Sequence, residues 1–225
     1  MSDQPLRPRD AATLILVRTR PSGPEVLMGE RSAAHVFVPG NYVFPGGRVD
    51  RSDAFVAPAT PLREAVLQRL TASCTPRRAQ ALALAAVRET FEETGIILGR
   101  PANGAAPQRP PKGWEHYFST GMAPTLDRLT YVARAVTPTG RPRRFNARFF
   151  VTDVDSVDTA HAGSGELEKL RWFSIPNAMQ LKIRPITKLV LAEIERRIAE
   201  DGLHDDDRPV PAWRVVRGER QVSYE

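Results

Sequence analysis

Residues 77–94 run without a glycine or proline, opened by Thr75-Pro76 and closed by Gly95. Threonine is a good N-cap, proline suits the first helical position, and glycine suits the residue after the last turn. The chain is therefore committed to a long helix here, and everything else must pack around it. At about 100° per residue, with Glu89 at zero, Glu93 falls at about 40°, Glu92 at about 300° and Arg88 at about 260°. Leu84, Val87 and Phe91 fall between about 160° and 220° on the same wheel. One face can pack on a sheet while three carboxylates and a guanidinium share the other.

That acidic face has a cost. Like charges three and four residues apart destabilise a helix, and anions near its C-terminus oppose the helix dipole. A divalent cation would remove the conflict, and clustered hard oxygens suit Mg²⁺ or Mn²⁺. From Glu89, Glu92 and Glu93 alone, a solvated acidic face is an equal reading. Two neighbours favour a site. Phe44-Pro45-Gly46-Gly47 gives a bend with exposed backbone groups suited to a metal or a phosphate. Lys plus Arg is 32 against 26 Asp plus Glu, a net charge of +6, which suits an anionic partner such as nucleic acid, nucleotide or membrane surface.

Other classes drop out. Hydrophobic residues at 41% and charged residues at 26% exclude a mainly disordered chain. One cysteine, Cys74, permits no intramolecular disulfide and no cysteine-based zinc site, so a reducing, cytoplasmic setting is expected. His35, His116, His161 and His204 show no metal-ligand spacing. No P-loop, dinucleotide-binding turn or nucleophile elbow occurs. The N-terminus lacks the pattern of a signal peptide, and the apolar runs fall short of the roughly 20 residues of a membrane span.

Along the chain, residues 1–10 are Pro- and Arg-rich and read as loose. Residues 12–18 and 25–31 read as a hairpin around Pro21-Ser22-Gly23-Pro24, and 35–41 as a loop. A helix is expected over 60–70 from Thr60-Pro61, and a short strand at Ile96-Ile97-Leu98. Residues 101–113 read as a long loop; 129–136 and 144–151 read as strands joined by a turn at 138–142. Gly163-Ser164-Gly165 marks a loop before a strand at 170–173, and 185–200 reads as an amphipathic helix. Residues 203–225 read as a tail. The fold class is α/β (α+β), a mixed sheet with helices on its faces.

Gly47, with Arg88-Glu89-Thr90-x-Glu92-Glu93-x-Gly95-Ile96, resembles the Nudix box GX5EX7REUXEEXGU. The second half matches at every fixed position, with Thr90 where an aliphatic residue is usual. The first half departs. Arg88 lies 41 residues after Gly47 where the box has 14, an insertion of 27. Asp53 holds the position of the first glutamate, and counting back from the arginine instead lands on Gln80. Asp53, Asp50 and Glu64 are thus candidates to orient Arg88. The resemblance implies a Nudix-like α/β/α sandwich over 11–202, with the box insertion at about 51–79. It also implies a metal-dependent hydrolase of a nucleoside diphosphate linked to another moiety. Glu92, Glu93 and the Gly46 carbonyl would bind Mg²⁺ or Mn²⁺, and Glu89 would bind it or orient the water. Arg88 would hold the glutamates. Glu166, with Glu168 in reserve, would complete the site from the loop before Trp172; a solvated loop carboxylate is the other reading.

Arg31-Ser32-x3-Val36-x3-Gly40-x3-Phe44-Pro45-Gly46-Gly47 resembles the motif of the coenzyme A diphosphatases, with Val36 in place of an arginine. Arg144-Phe145-Asn146-Ala147-Arg148-Phe149-Phe150 and the insertion resemble the peroxisomal-type branch and its bacterial relatives, with Asn146 and Ala147 as departures. CoA or acyl-CoA, giving 3′,5′-ADP and (acyl-)4′-phosphopantetheine, is the expected substrate. Arg31, Gly47, Arg144 and Arg148 are the expected substrate contacts, with surface arginines on a strand as the alternative for the last two. ADP-ribose, NADH or another nucleoside diphosphate derivative is the alternative substrate. A non-catalytic Nudix-fold ligand sensor or nucleic-acid binder is the alternative of another class. No nucleic-acid-binding motif is visible, so a nucleotide-type small molecule is the expected partner, with no membrane and with a homodimer as the expected assembly.

Overall fold

The computed structural model describes residues 6–32, 40–103, 107–154, 166–216 and 218–225. Strand β1 (Arg9–Arg20) explains its own apolar run, because both of its faces are covered. Ala12, Leu14 and Leu16 face one core cluster, and Ile15 and Val17 the other. β2 (Gly23–Arg31) returns antiparallel as the expected hairpin. The remaining strands are β3 (Tyr42–Val43), β4 (Gly46–Arg48), β5 (Gly99–Pro101), β6 (Met122–Pro124), β7 (Thr130–Val136), β8 (Phe145–Asp153), β9 (Leu167–Ser174), β10 (Pro211–Val216) and β11 (Glu219–Tyr224).

The main sheet runs β11-β10-β7-β8-β1-β2-β3, with β4 added to β1 and β9 to β2. β1 with β8, and β10 with β7, are parallel; the other pairs are antiparallel, so the sheet is mixed. Helices α1 (Glu64–Thr71), α2 (Pro76–Thr94) and α3 (Glu115–Ser119) bury Leu70, Leu84 and Tyr117 against one face. Helices α4 (Ile175–Gln180) and α5 (Pro185–Ala199) bury Ile175, Val190 and Ile194 against the other. The result is an α/β/α sandwich. Among the described residues no helix is long and apolar enough to cross a membrane.

The helix that carries the acidic face forms as its ends dictate. Thr75 caps α2 by accepting from the Arg78 N–H at 3.3 Å. Gly95 ends it at φ 72°, its N–H donating to the Phe91 carbonyl at 2.8 Å. The insertion comprises a 3-10 turn at Ser52–Phe55, helix α1 and the first turns of α2.

Several boundaries differ from expectation for local reasons. β1 starts at Arg9, not at the apolar run, because Arg9 and Asp10 pair with Phe145 and Asn146 of β8. Thr60 does not cap α1, which starts four residues later. Its hydroxyl donates to Asp127 at 2.6 Å and accepts from the Leu126 N–H, pinning the loop instead. Ile96-Ile97-Leu98 is not a strand: the Leu98 carbonyl is taken by the Tyr117 hydroxyl and the Thr125 N–H, and the strand follows at β5. α3 and α4 were not expected. Residues 203–225, read as a tail, carry β10 and β11, which extend the sheet. Asp206 there accepts two bonds from Arg63 at 2.7 Å, tying the tail to the start of α1. His35, Val36, His161 and the Gly163-Ser164-Gly165 loop lie outside the described residues.

Because the cap of α2 holds the helix that carries the glutamates, Thr75→Ala should lower stability by about 1 kcal/mol. Urea denaturation checks this, and an unchanged midpoint would show that the cap contributes nothing.

Candidate active site

The acidic face of α2 lies directly against β4. The Gly46 N–H donates to Glu93 Oε2 at 2.8 Å. A Cβ on Gly47 would sit 2.4 Å from the Glu89 carboxylate. Gly46 has φ 154°, and a Cβ there would lie 2.5 Å from the Ala12 carbonyl oxygen. Glycine at 47 lets β4 approach α2 this closely, and glycine at 46 lets β4 lie this closely against β1. This is the physical content of the Gly46-Gly47 pair.

Arg88 organises the carboxylates. Its side chain is 4% exposed, and all five of its N–H groups are directed at oxygens. Nε donates to Asp53 Oδ1 at 2.9 Å and Nη2 to Asp53 Oδ2 at 3.2 Å. Nη2 also donates to the Arg48 carbonyl at 3.1 Å. Nη1 donates to Glu89 Oε1 at 2.9 Å and to Glu92 Oε2 at 3.2 Å. Burial alone would lower the guanidinium pKa, but the Asp53 bond and the glutamates raise it overall, so it stays charged.

Of the three candidates to orient Arg88, the structure selects Asp53. It is fully buried. Its Oδ1 also accepts from the Trp114 indole N–H at 2.9 Å, and its Oδ2 from the Asp50 N–H at 2.7 Å. Glu64 is exposed on α1, where Gln68 donates to it. Trp114 was missed in the sequence. It follows the long loop that includes Pro110 and Pro111 and lies outside the box, so no spacing points to it.

The remaining expected residues divide into two groups. Glu166 and Arg31 come to the carboxylates. The Glu166 charge helps raise the pKa of both Glu89 and Glu93, whereas the Arg31 charge works to lower that of Glu93. Glu168 is exposed, and the register sets it opposite Glu30. Arg144 and Arg148 lie apart. Arg144 donates to the Thr137 and Leu6 carbonyls. Arg148 is buried, donating to Asp10 at 2.8 Å and to the Ser73 hydroxyl at 3.3 Å. Both are consumed by the fold, because the alternation of β8 puts Phe149 and Phe150 in the two cores and points Arg148 inward beside Asp10.

Burial pushes Glu93 up to about 8, opposed by the Gly46 N–H and reinforced by Glu89. Burial likewise pushes Glu89 up to about 7, opposed by Arg88 and reinforced by Glu92 and Glu166. Glu92 is raised too, again first by burial. Among the described residues no three acidic, histidine or cysteine side chains are gathered as a preassembled metal cage. The bonds account for this: Arg88 holds one oxygen each of Glu89 and Glu92, and Gly46 holds one of Glu93. The donors still fit a hard divalent cation in chemistry, being carboxylates beside a backbone bend, with buried negative charge that a cation would offset.

The raised carboxylates make stability depend on pH. The folded chain keeps protons that the unfolded chain releases near 4.5, so their contribution is full below 4.5 and lost as pH rises through about 7 to 8. Without metal, the melting temperature should fall between about pH 5 and pH 8, and Glu93→Gln should flatten that fall. A calorimetric series across this range decides; equal slopes in both proteins would contradict it.

The chain is similar to known proteins in sequence and in fold. No protein-family model matches the chain. It is 27% identical over 178 residues to the Caenorhabditis elegans protein named "Putative nudix hydrolase 7", covering 73% of this chain and 50% of that one. The chain thus spans about half the length of the curated relative it matches. A solved Nudix hydrolase from Alicyclobacillus acidocaldarius is 28% identical, with a TM-score of 0.66 and coverage of 83% of this chain and 90% of that one. The NUDIX domain of Shewanella oneidensis NrtR, solved with ADP ribose, shares the fold at 10% identity and TM-score 0.51, covering 86% and 90%. A C. elegans Ap4A hydrolase complex shares it at 14% identity and TM-score 0.50, covering 85% and 98%. The chain is thus similar in sequence to a relative named as a Nudix hydrolase and in sequence and fold to a solved one, and it shares the fold alone with the two neighbours at 10% and 14% identity.

Proposed function

We propose that the chain is a divalent-metal-dependent hydrolase of the diphosphate bond in a nucleoside diphosphate derivative. The observation that carries this reading is the Arg88 hub. One buried guanidinium, fixed by Asp53, presents Glu89 and Glu92 beside Glu93 and the Gly46-Gly47 bend.

Glu92, Glu93, Glu89 and the Gly46 carbonyl would hold Mg²⁺ or Mn²⁺. When bound, such an ion neutralises the diphosphate and lowers the pKa of water. The chain's own residues do the rest. Glu89, pushed up to about 7, can accept the proton of an attacking water at neutral pH. Glu166 is the second candidate for that role. The water oxygen attacks one phosphorus, the bridging P–O bond breaks, and the leaving phosphate carries away the bridging oxygen. Arg31 supplies positive charge to the anionic substrate, and positioning dominates over covalent work.

CoA or acyl-CoA is our reading of the substrate, giving 3′,5′-ADP and (acyl-)4′-phosphopantetheine. It rests on the spacing of Arg31-Ser32, Gly40 and Phe44-Pro45-Gly46-Gly47. The second half of that sequence argument weakens, because Arg144 and Arg148 are engaged elsewhere. Other nucleoside diphosphate derivatives are therefore the arms of the test. We also infer a cytoplasmic setting from the single Cys74 and a homodimer from the family resemblance, which sedimentation of the purified chain checks.

With Mg²⁺ or Mn²⁺, a panel of CoA, acetyl-CoA, ADP-ribose, NADH and diadenosine polyphosphates should show turnover of CoA. Turnover of ADP-ribose alone would overturn the substrate, and no turnover at all would overturn the hydrolase. Gly47→Ala should lower kcat about 100-fold with the fold intact, because its Cβ must displace the Glu89 carboxylate. Unchanged kcat would show that Glu89 is misassigned.

A further inference from the structure

A second feature adjoins the carboxylates and is not used by the chemistry above. A cleft of about 390 Å³ opens between the start of β1 and the turn that follows β4. Four guanidiniums line it, from Arg7, Arg9, Arg48 and Arg78, against two carboxylates, Asp10 and Asp50.

Asp10 does not neutralise the cleft. Arg78 donates to it at 2.7 Å and the buried Arg148 at 2.8 Å, so its charge is already met. Burial would raise the Asp10 pKa, but those two arginines outweigh it and hold the carboxyl below its ordinary value. The side chains of Arg7, Arg9 and Arg48 have no ion-pair partner among the described residues, and all three are exposed. Gly47 turns toward Glu89, so strand alternation turns Arg48 the other way, to the cleft. Asp50 marks the border, since its charge reaches Glu92. Three uncommitted guanidiniums around a concave space are matched by a group with several acceptor oxygens and more than one negative charge.

We propose that this cleft binds a phosphate group, at a site separate from the carboxylates of α2. The phosphate belongs either to the substrate, as a monoester beyond its diphosphate, or to a second molecule. Only the first source rests on the hydrolase reading.

The test uses the full chain without metal, titrated calorimetrically with inorganic pyrophosphate. Wild type should bind, and Arg9→Gln and Arg48→Gln should each weaken binding about tenfold, the size of one charge-assisted hydrogen bond. Arg31→Gln, which removes the arginine near Glu93, should leave the affinity unchanged. Equal melting temperatures confirm that the variants are folded. No binding by wild type, undiminished binding by Arg9→Gln and Arg48→Gln, or loss confined to Arg31→Gln would each overturn the proposal. Kinetics with coenzyme A and its dephospho form then separate the sources. A KM raised about tenfold for coenzyme A alone in Arg48→Gln assigns the phosphate to the substrate. Unchanged KM values with pyrophosphate binding still lost assign it to a second molecule. If nothing in the panel turns over, the hydrolase reading fails while the pyrophosphate titration still decides the cleft.

Discussion

The buried ion pair of Arg88 with Asp53 is the interaction on which the rest of the site depends. A guanidinium that is 4% exposed is tolerable only when its donors are satisfied. Here Asp53 takes two, the Arg48 carbonyl one, and Glu89 and Glu92 one each. The same bonds that make the burial affordable also fix where two carboxylates stand. Asp53 is held in turn by the Trp114 indole and the Asp50 backbone, so its two oxygens accept four bonds in all. Removing either partner would leave a buried charge alone, which typically costs about 3–5 kcal/mol.

That pair explains how a box with a long insertion keeps its geometry. The 3-10 turn holding Asp53 opens the insertion, Arg88 follows its end, and the ion pair between them closes the gap. The inserted α1 is anchored independently. Arg63 reaches Asp206, and Arg69 donates to the Glu225 carbonyl at 2.8 Å. The insertion can therefore vary without moving the carboxylates, provided Asp53 and Arg88 meet. On the same face of α2, Gly47 sets how closely β4 approaches the helix, and Gly46 sets how closely β4 lies against β1.

Much of this was legible in residues because the signals are local. Thr75-Pro76 and Gly95 bound α2, and the helical repeat put Glu89, Glu92 and Glu93 on one face. The apolar runs of β1 and β2 read correctly because both faces of those strands are buried. What was not legible depends on contacts distant in sequence. Thr60 has the chemistry of a cap, but Asp127, 67 residues away, takes its hydroxyl. Asp53 could be shortlisted from its position after Gly47 but not chosen, since the choice comes from burial. Trp114 and the tying of 203–225 to the sheet have no local signature. Arg144 and Arg148 resembled substrate contacts by motif; pairing with residues 138 positions away in sequence, at Leu6 and Asp10, uses them instead.

The central claim is that Asp53, through Arg88, sets the carboxylates of α2 to hold a divalent cation. Mn²⁺ affinity of folded Asp53→Asn tests it most directly, because Asp53 touches none of the glutamates. Loss of a residue that orients metal ligands typically weakens binding about 10- to 100-fold, and the account predicts a loss of that size. Mn²⁺ bound with wild-type affinity by folded Asp53→Asn would contradict it.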